Sequence, residues 1–218
     1  MISYQKVKIQ SYCLMQDKEV ISTLKNQLNY SSKNISDIEI FTNELLKANK
    51  KHNFISKSTE NVIWHRHILD SAQLVKFIDF SKASLSDLGS GAGFPGIILA
   101  IFNKNKNFHV KLYEKSPVKR AFLKDIIDRL SLKIEIRGNV YDEFVDTDYI
   151  VSRAFKKLEA IIQVSREIAK RPHKLIILKG QNAHEDLKKA FNNEKYDYKL
   201  ESSITDKDSR IIIVDFKK

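Results

Sequence analysis

Asp87-Leu88-Gly89-Ser90-Gly91-Ala92-Gly93-Phe94-Pro95-Gly96 holds four of the six glycines in a chain of 218 residues. Leu85–Leu88, at its start, reads as a short strand, and Gly96–Phe102, at its end, reads as an apolar helix. Glycines at a strand-to-helix bend allow a tight turn and let a ligand approach the backbone closely. In an open parallel sheet that bend lies outside the carboxyl ends of the strands, where ligands bind.

Downstream of the bend, short β-rich runs alternate with helical patterns, which predicts βαβ units and a parallel sheet. The strands are Leu85–Leu88, Phe108–Tyr113, Lys133–Ile136, Tyr149–Ser152 and Lys174–Leu178, with helices over Gly96–Phe102, Pro117–Leu130 and Lys157–Lys170. Ser116-Pro117 is a cap residue followed by proline at the first helical position. A last helix over Ala183–Phe191 precedes two strands, Tyr196–Ile204 and Arg210–Phe216. With only a polar turn between them, those two are expected to be antiparallel. The predicted class is α/β, a Rossmann-like and mostly parallel sheet with an antiparallel C-terminal hairpin.

Upstream, the first third reads as helical. Val20, Ile21, Leu24 and Leu28 fall at helical spacing. Residues 31–34 break the pattern, and Ser36 with Glu39 has capping-box spacing. Lys47–Lys57 reads as a basic loop and Thr59–Ile78 as a further helix. Residues 1–58 are expected to be a helical extension packed on a sheet domain of residues 59–218. No Pro/Gly-rich linker separates the two.

The loop's chemistry narrows the ligand. A dinucleotide site uses G-x-G-x-x-G, with a pyrophosphate on the helix N-terminus. Here the spacing is G-x-G-x-G, and Asp87 precedes the first glycine by two residues. A carboxylate repels phosphate but favours a cationic amino-acid group. S-adenosylmethionine carries an ammonium and a sulfonium and has no phosphate, so the loop suits it better than NAD or FAD. Glu114 ends the second predicted strand, where a carboxylate accepts hydrogen bonds from both ribose hydroxyls of an adenosine. Together Asp87, Glu114 and the βαβ context point to a methyltransferase-type site.

Composition adds a partner class. The 38 Lys and Arg against 27 Asp and Glu give a formal charge of +11, which favours a polyanion such as nucleic acid. The single cysteine, Cys13, excludes a disulfide scaffold and a multi-cysteine zinc site. The longest apolar run, Ile97–Phe102, is far short of a membrane span. These features predict a cytoplasmic protein, with no metal or membrane partner and a monomeric default.

At these residues the sequence resembles the bacterial 16S ribosomal RNA guanine-N7 methyltransferases, also called glucose-inhibited division protein B. His65-Arg66-His67-Ile68-Leu69-Asp70-Ser71 is similar to one family segment, and Asp87 to Ile97 to the family's cofactor loop, including Gly-Phe-Pro-Gly. Lys119–Leu123, Val151-Ser152-Arg153-Ala154-Phe155 and Leu178-Lys179-Gly180-Gln181 resemble later segments in the family's order. The resemblance implies a class I S-adenosylmethionine-dependent fold that methylates N7 of a guanine in 16S rRNA. Its partner would be that RNA, the 30S subunit or an assembly intermediate.

Carried over by position, it implies cofactor contacts at Gly89, Phe94, Tyr141, Asp142 and Arg153, beside Asp87, Gly91 and Glu114. The family's Asn-Leu-Thr stretch appears here as Asn53-Phe54-Ile55, a departure that leaves residues 54 and 55 without an assigned role.

Guanine N7 carries a lone pair and no proton, so its methylation requires no general base, only alignment and charge placement. In keeping with this, no Asn-Pro-Pro-Tyr-like segment follows the fourth strand. Arg153 is the candidate catalytic residue, as a positioning group. It either borders the cofactor carboxylate or guanine O6 and N7, or forms a salt bridge to a neighbouring acid. Phe155 either stacks on the base or belongs to the core. His65, Arg66, His67 and Asp70 read as a polar clasp onto the glycine loop, with His67 and Asp70 on one helical face. Arg120, Lys156, Lys157 and Lys179 either meet RNA phosphates or are solvated surface. The alternatives are a methyltransferase acting on another RNA or a small molecule, and a non-catalytic RNA-binding relic of the fold.

Overall fold

The computed structural model describes residues 15–82, 84–153, 157–190 and 197–217; Cys13, Phe155 and Lys156 lie outside them. Helix α1 covers residues 15–26, and α2 spans Ser32–Asn49. The expected break at residues 31–34 is instead the start of α2, and its cap is Ser31 rather than Ser36. Ser31 Oγ accepts from the Asn34 N–H at 3.1 Å, while Asn34 Oδ1 accepts from the Ser31 N–H at 3.0 Å. An asparagine closes this box in place of the usual Glu or Gln. Its Nδ2 donates to the Ile101 carbonyl, so the same residue ties α2 to the helix that follows the glycine loop.

The single helix expected over residues 59–78 is a composite. A 3-10 turn (Lys57–Val62) leads into a π-turn (Trp64–Leu69), the short α3 (Asp70–Ala72) and a second 3-10 turn (Gln73–Phe77). A π-turn is wider than an α-turn, so three-residue neighbours no longer stack. His67 and Asp70 therefore do not bond to each other. His67 Nε2 pairs with Thr59 Oγ1 at 2.9 Å, and Asp70 Oδ1 accepts from Thr205 Oγ1 at 3.0 Å.

Among the described residues seven strands make one sheet: β1 Ser84–Leu88, β2 His109–Tyr113, β3 Ile134–Arg137, β4 Tyr149–Ser152, β5 His173–Lys179, β6 Tyr198–Ser202 and β7 Arg210–Phe216. Their spatial order is β3-β2-β1-β4-β5-β7-β6. The first five pair in parallel, and β7 runs antiparallel between β5 and β6. The crossovers are α4 (Gly96–Phe102), α5 (Pro117–Leu130) and α6 (Leu158–Ile168), and α7 (Ala183–Ala190) follows β5.

One face of the sheet is covered by the helical third together with α4 and α5. Leu24, Ile38, Phe41, Leu45 and Ile68 share a buried cluster with Leu85, Ile97, Leu112 and Ile126. The other face is covered by α6 and α7, through Ile161, Ile162 and Leu187 on Leu88, Ile150 and Leu175. Burial of these side chains, at about 25 cal/mol per Å² of apolar surface, holds the three layers together. Chain order reverses between β1 and β4, which is the switch point of such sheets. The glycine loop leaves β1 and Arg153 follows β4, so both stand there.

Candidate functional site

The loop is built by hydrogen bonds that converge on the end of β2. The Gly89 and Ser90 N–H groups donate to the Tyr113 carbonyl at 2.9 and 3.0 Å. The Gly91 N–H donates to Glu114 Oε2 at 2.9 Å, and the Ser116 N–H to Glu114 Oε1 at 2.8 Å. Gly96 closes the loop from below, its N–H donating to Asp87 Oδ2 at 2.9 Å. Two glycines are needed sterically. Gly93 has φ +104°, and a Cβ there would lie 2.6 Å from Ile97 Cγ1. A Cβ on Gly96 would lie 2.3 Å from Leu112 Cδ2 and 2.6 Å from Asp87 Oδ2.

A cavity of about 550 Å³ opens at the switch point. Gly89, Gly91, Phe94, Glu114, Tyr141 and Arg153 line it, so six of the residues singled out from sequence meet there. Asp87 and Asp142 are not in its wall. Asp87 is fully buried beneath the loop, and its Oδ1 has no partner. Burial pushes its carboxyl up to about 7, against the Gly96 N–H and Arg153, which favour the anion. Asp142 is exposed and accepts from Asn139 Nδ2 at 3.0 Å.

Phe94 gathers two further groups. The His67 ring stacks on it at 5.1 Å between centroids, and the Arg153 guanidinium carbon lies 5.0 Å from its centroid. Burial, with Arg153 and Arg66 nearby, holds His67 down at about 3, so its ring is neutral at neutral pH. Arg153 faces Asp70 Oδ2 at 4.0 Å and donates to the Arg66 carbonyl at 3.3 Å. The clasp expected of the His65–Asp70 segment thus reaches Phe94 through His67 and Arg153 through Asp70. Of the residues read as either phosphate contacts or solvated surface, Arg120 donates to the Glu114 and Lys115 carbonyls at 3.0 and 2.7 Å, and Lys179 pairs with Asp186 at 2.7 Å.

Phe54 and Ile55 also line the cavity, although no role was carried over to them. Their wall is set by Asn49, which sequence reasoning passed over. Its Oδ1 accepts from the Phe54 and Ile55 N–H groups at 2.8 and 3.0 Å, and its Nδ2 donates to the Ile55 carbonyl at 3.1 Å. The sequence carries no signal for this, since Asn49 stands within the basic stretch Lys47–Lys57 and its burial appears only in the fold. Among the described residues no group of three or more His, Cys, Asp or Glu could hold a metal. No helix there is long and apolar enough to cross a membrane.

Residues 34–212 match the family model for rRNA small subunit methyltransferase G. A ribosomal RNA small subunit methyltransferase G from Pelagibacter ubique is 37% identical over 195 residues, covering 87% of this chain and 91% of that protein. One from Rickettsia felis is 35% identical over 83% of this chain and 92% of its own. Among solved structures, an O-methyltransferase from Bacillus cereus in complex with SAH superposes with a TM-score of 0.57 at 14% identity, covering 89% of this chain and 96% of that one. A SAM-dependent methyltransferase from Aquifex aeolicus gives 0.55 at 11% identity, covering 80% and 97%. At these identities the superpositions speak for the shared fold.

Proposed function

The chain belongs to the rRNA small subunit methyltransferase G family, a class of S-adenosyl-L-methionine-dependent methyltransferases, and from that premise we propose how its site methylates N7 of a guanine in 16S ribosomal RNA. The observation that carries the reading is the cavity at the switch point, where the glycine loop, Glu114 and Arg153 face one space.

The residues present fit the cofactor. Glu114 spends one hydrogen bond on each oxygen, to Gly91 and Ser116, which leaves acceptor capacity for the two ribose hydroxyls. Asp87 lies beneath the loop rather than in the cavity wall, so its carboxylate favours the amino-acid ammonium through its charge and not by direct contact. Gly89 and Gly91 let the backbone approach closely, and Tyr141 and Asp142 serve the adenine end. When bound, the cofactor supplies an electrophilic methyl on a sulfonium. Arg153 orients the cofactor carboxylate or the guanine edge from the wall beside Phe94. His67 stays neutral there and adds no charge against the sulfonium. No side chain has to remove a proton, because N7 attacks with its own lone pair. Residues 1–58 act as an extension that supplies the Phe54–Ile55 wall, and the protein works as a monomer on naked 16S RNA, an assembly intermediate or the 30S particle.

The test is mass spectrometry of 16S RNA from small subunits that lack the modification, after incubation with the protein and S-adenosylmethionine. New 7-methylguanosine in that RNA supports the reading. A methyl group on another atom, another RNA or a small molecule overturns it, as does cofactor binding without transfer.

A further inference from the structure

The turn between β6 and β7 is distant from the cavity in chain order but lies against the residues that hold Arg153. The Ile204 N–H donates to Gln73 Oε1 at 2.9 Å, and Gln73 Nε2 donates to Ser203 Oγ at 3.0 Å. Gln73 is only 1% exposed, and its Nε2 also reaches Asp70 Oδ1 at 3.2 Å. Thr205 Oγ1 donates to the same Asp70 oxygen at 3.0 Å. Asp206 Oδ2 lies 3.9 Å from Arg66 Nη1. Four consecutive turn residues therefore grip the stretch from Arg66 to Gln73. The other Asp70 oxygen is left facing Arg153 at 4.0 Å, and the Arg66 carbonyl accepts from Arg153.

We propose that Thr205, Gln73 and Asp70 are positioning residues, through which the β6–β7 turn fixes the Asp70 carboxylate and so holds Arg153 against Phe94 in the cofactor cavity wall. This rests on the reading of Arg153 as a cofactor-site residue. Arginine has several rotatable bonds, and ordering such a side chain only on binding weakens affinity. A carboxylate locked by two donors on one oxygen presents its second oxygen at a fixed place. Arg153 is then ordered before any ligand arrives. Loss of the Thr205 hydroxyl frees Asp70 to turn, and Arg153 with it.

The experiment is a double-mutant cycle of Thr205→Val and Arg153→Ala, reading S-adenosylhomocysteine affinity by calorimetry and kcat and KM on small ribosomal subunits. With Arg153 present, T205V is expected to weaken S-adenosylhomocysteine binding by about fivefold to tenfold, the range of indirect coupling through a packed network. In the R153A background the same change is expected to cost less than about twofold. Thr205→Ser keeps the hydroxyl and restores binding. If T205V does not fold, Asp70→Asn, which keeps the shape and loses the charge facing Arg153, runs the same cycle. Equal losses in both backgrounds, or none in either, overturn the proposal while leaving Arg153 in the site. An R153A protein with wild-type affinity and turnover overturns both.

Discussion

The Gly91 N–H donates to Glu114 Oε2 at 2.9 Å, so the acid that follows β2 is fastened to the loop that leaves β1. One carboxylate thereby shapes the loop and faces the cavity, and the two roles share its lone pairs. Glu114→Ala is expected to weaken S-adenosylhomocysteine binding by about 10- to 100-fold, the worth of one or two hydrogen bonds to a charged acceptor. Titration calorimetry checks this. Wild-type affinity would mean that Glu114 serves the loop alone.

Asp87 and His67 shift in opposite senses, and their pH signatures oppose each other. Asp87 sits at about 7 when folded, above its ordinary value of 3.8. Its contribution is full below about pH 4 and is lost as pH rises through 7, by at most about 1.4 kcal/mol per unit. His67 sits at about 3 when folded, below 6.5. Its contribution is full above pH 6.5 and is lost as pH falls toward 3. Between about pH 4 and 6.5 the two slopes oppose each other. Relative to wild type, Asp87→Asn is expected to gain stability as pH rises through that window, and His67→Gln to lose it. Urea melts at half-unit steps of pH read both, and parallel pH profiles for all three proteins would refute the assignment.

Gly96→Ala tests the packing beneath the loop. The added methyl meets Leu112 Cδ2 and Asp87 Oδ2, side-chain ends that are themselves fully buried and have little room to yield. A loss of about 1–3 kcal/mol is expected, as for overpacking elsewhere. Chemical denaturation measures it. A neutral result would show that Asp87 can leave Gly96 freely.

Asn49→Ala removes a side chain that satisfies two N–H groups and one carbonyl of the cavity wall. It is expected to cost about 1–3 kcal/mol of stability through buried groups left unpaired. Cofactor affinity is expected to fall as the Phe54–Ile55 wall loosens, whereas Asn49→Asp keeps the acceptor and retains part of it. Denaturation and calorimetry on the two variants decide. An N49A protein as stable as wild type would show that this wall holds without Asn49.

The sheet half was legible because its signals are local. Alternation, strand length and the Ser116-Pro117 cap fall within a few residues of what they predict, and Pro117–Leu130 agrees at both ends. The glycine loop was equally plain, since backbone geometry restricts which residues can stand there. The helical third was less so. Ser31 closes its cap with Asn34 in place of the usual Glu or Gln, and the apolar spacing over residues 59–78 does not distinguish the π-turn at Trp64–Leu69 from an α-helix. Asp70 meets Thr205 across 135 residues, a distance at which no periodicity speaks. Asp87 stands at the head of the loop in the sequence, but its burial beneath Gly96 depends on packing that only the fold shows.

The insertion of β7 between β5 and β6 bears on how the protein is made. While it is being synthesised, a nascent chain that has emerged only through β6 has no neighbour for that strand and leaves β5 an open edge. The turn that grips Asp70 and Gln73 comes into place with the same late pairing. The clamp on Arg153 is thus completed only after the glycine loop and its surroundings have been translated, so an enzyme of ribosomal RNA acquires its finished pocket only once the turn between its last two paired strands has been made.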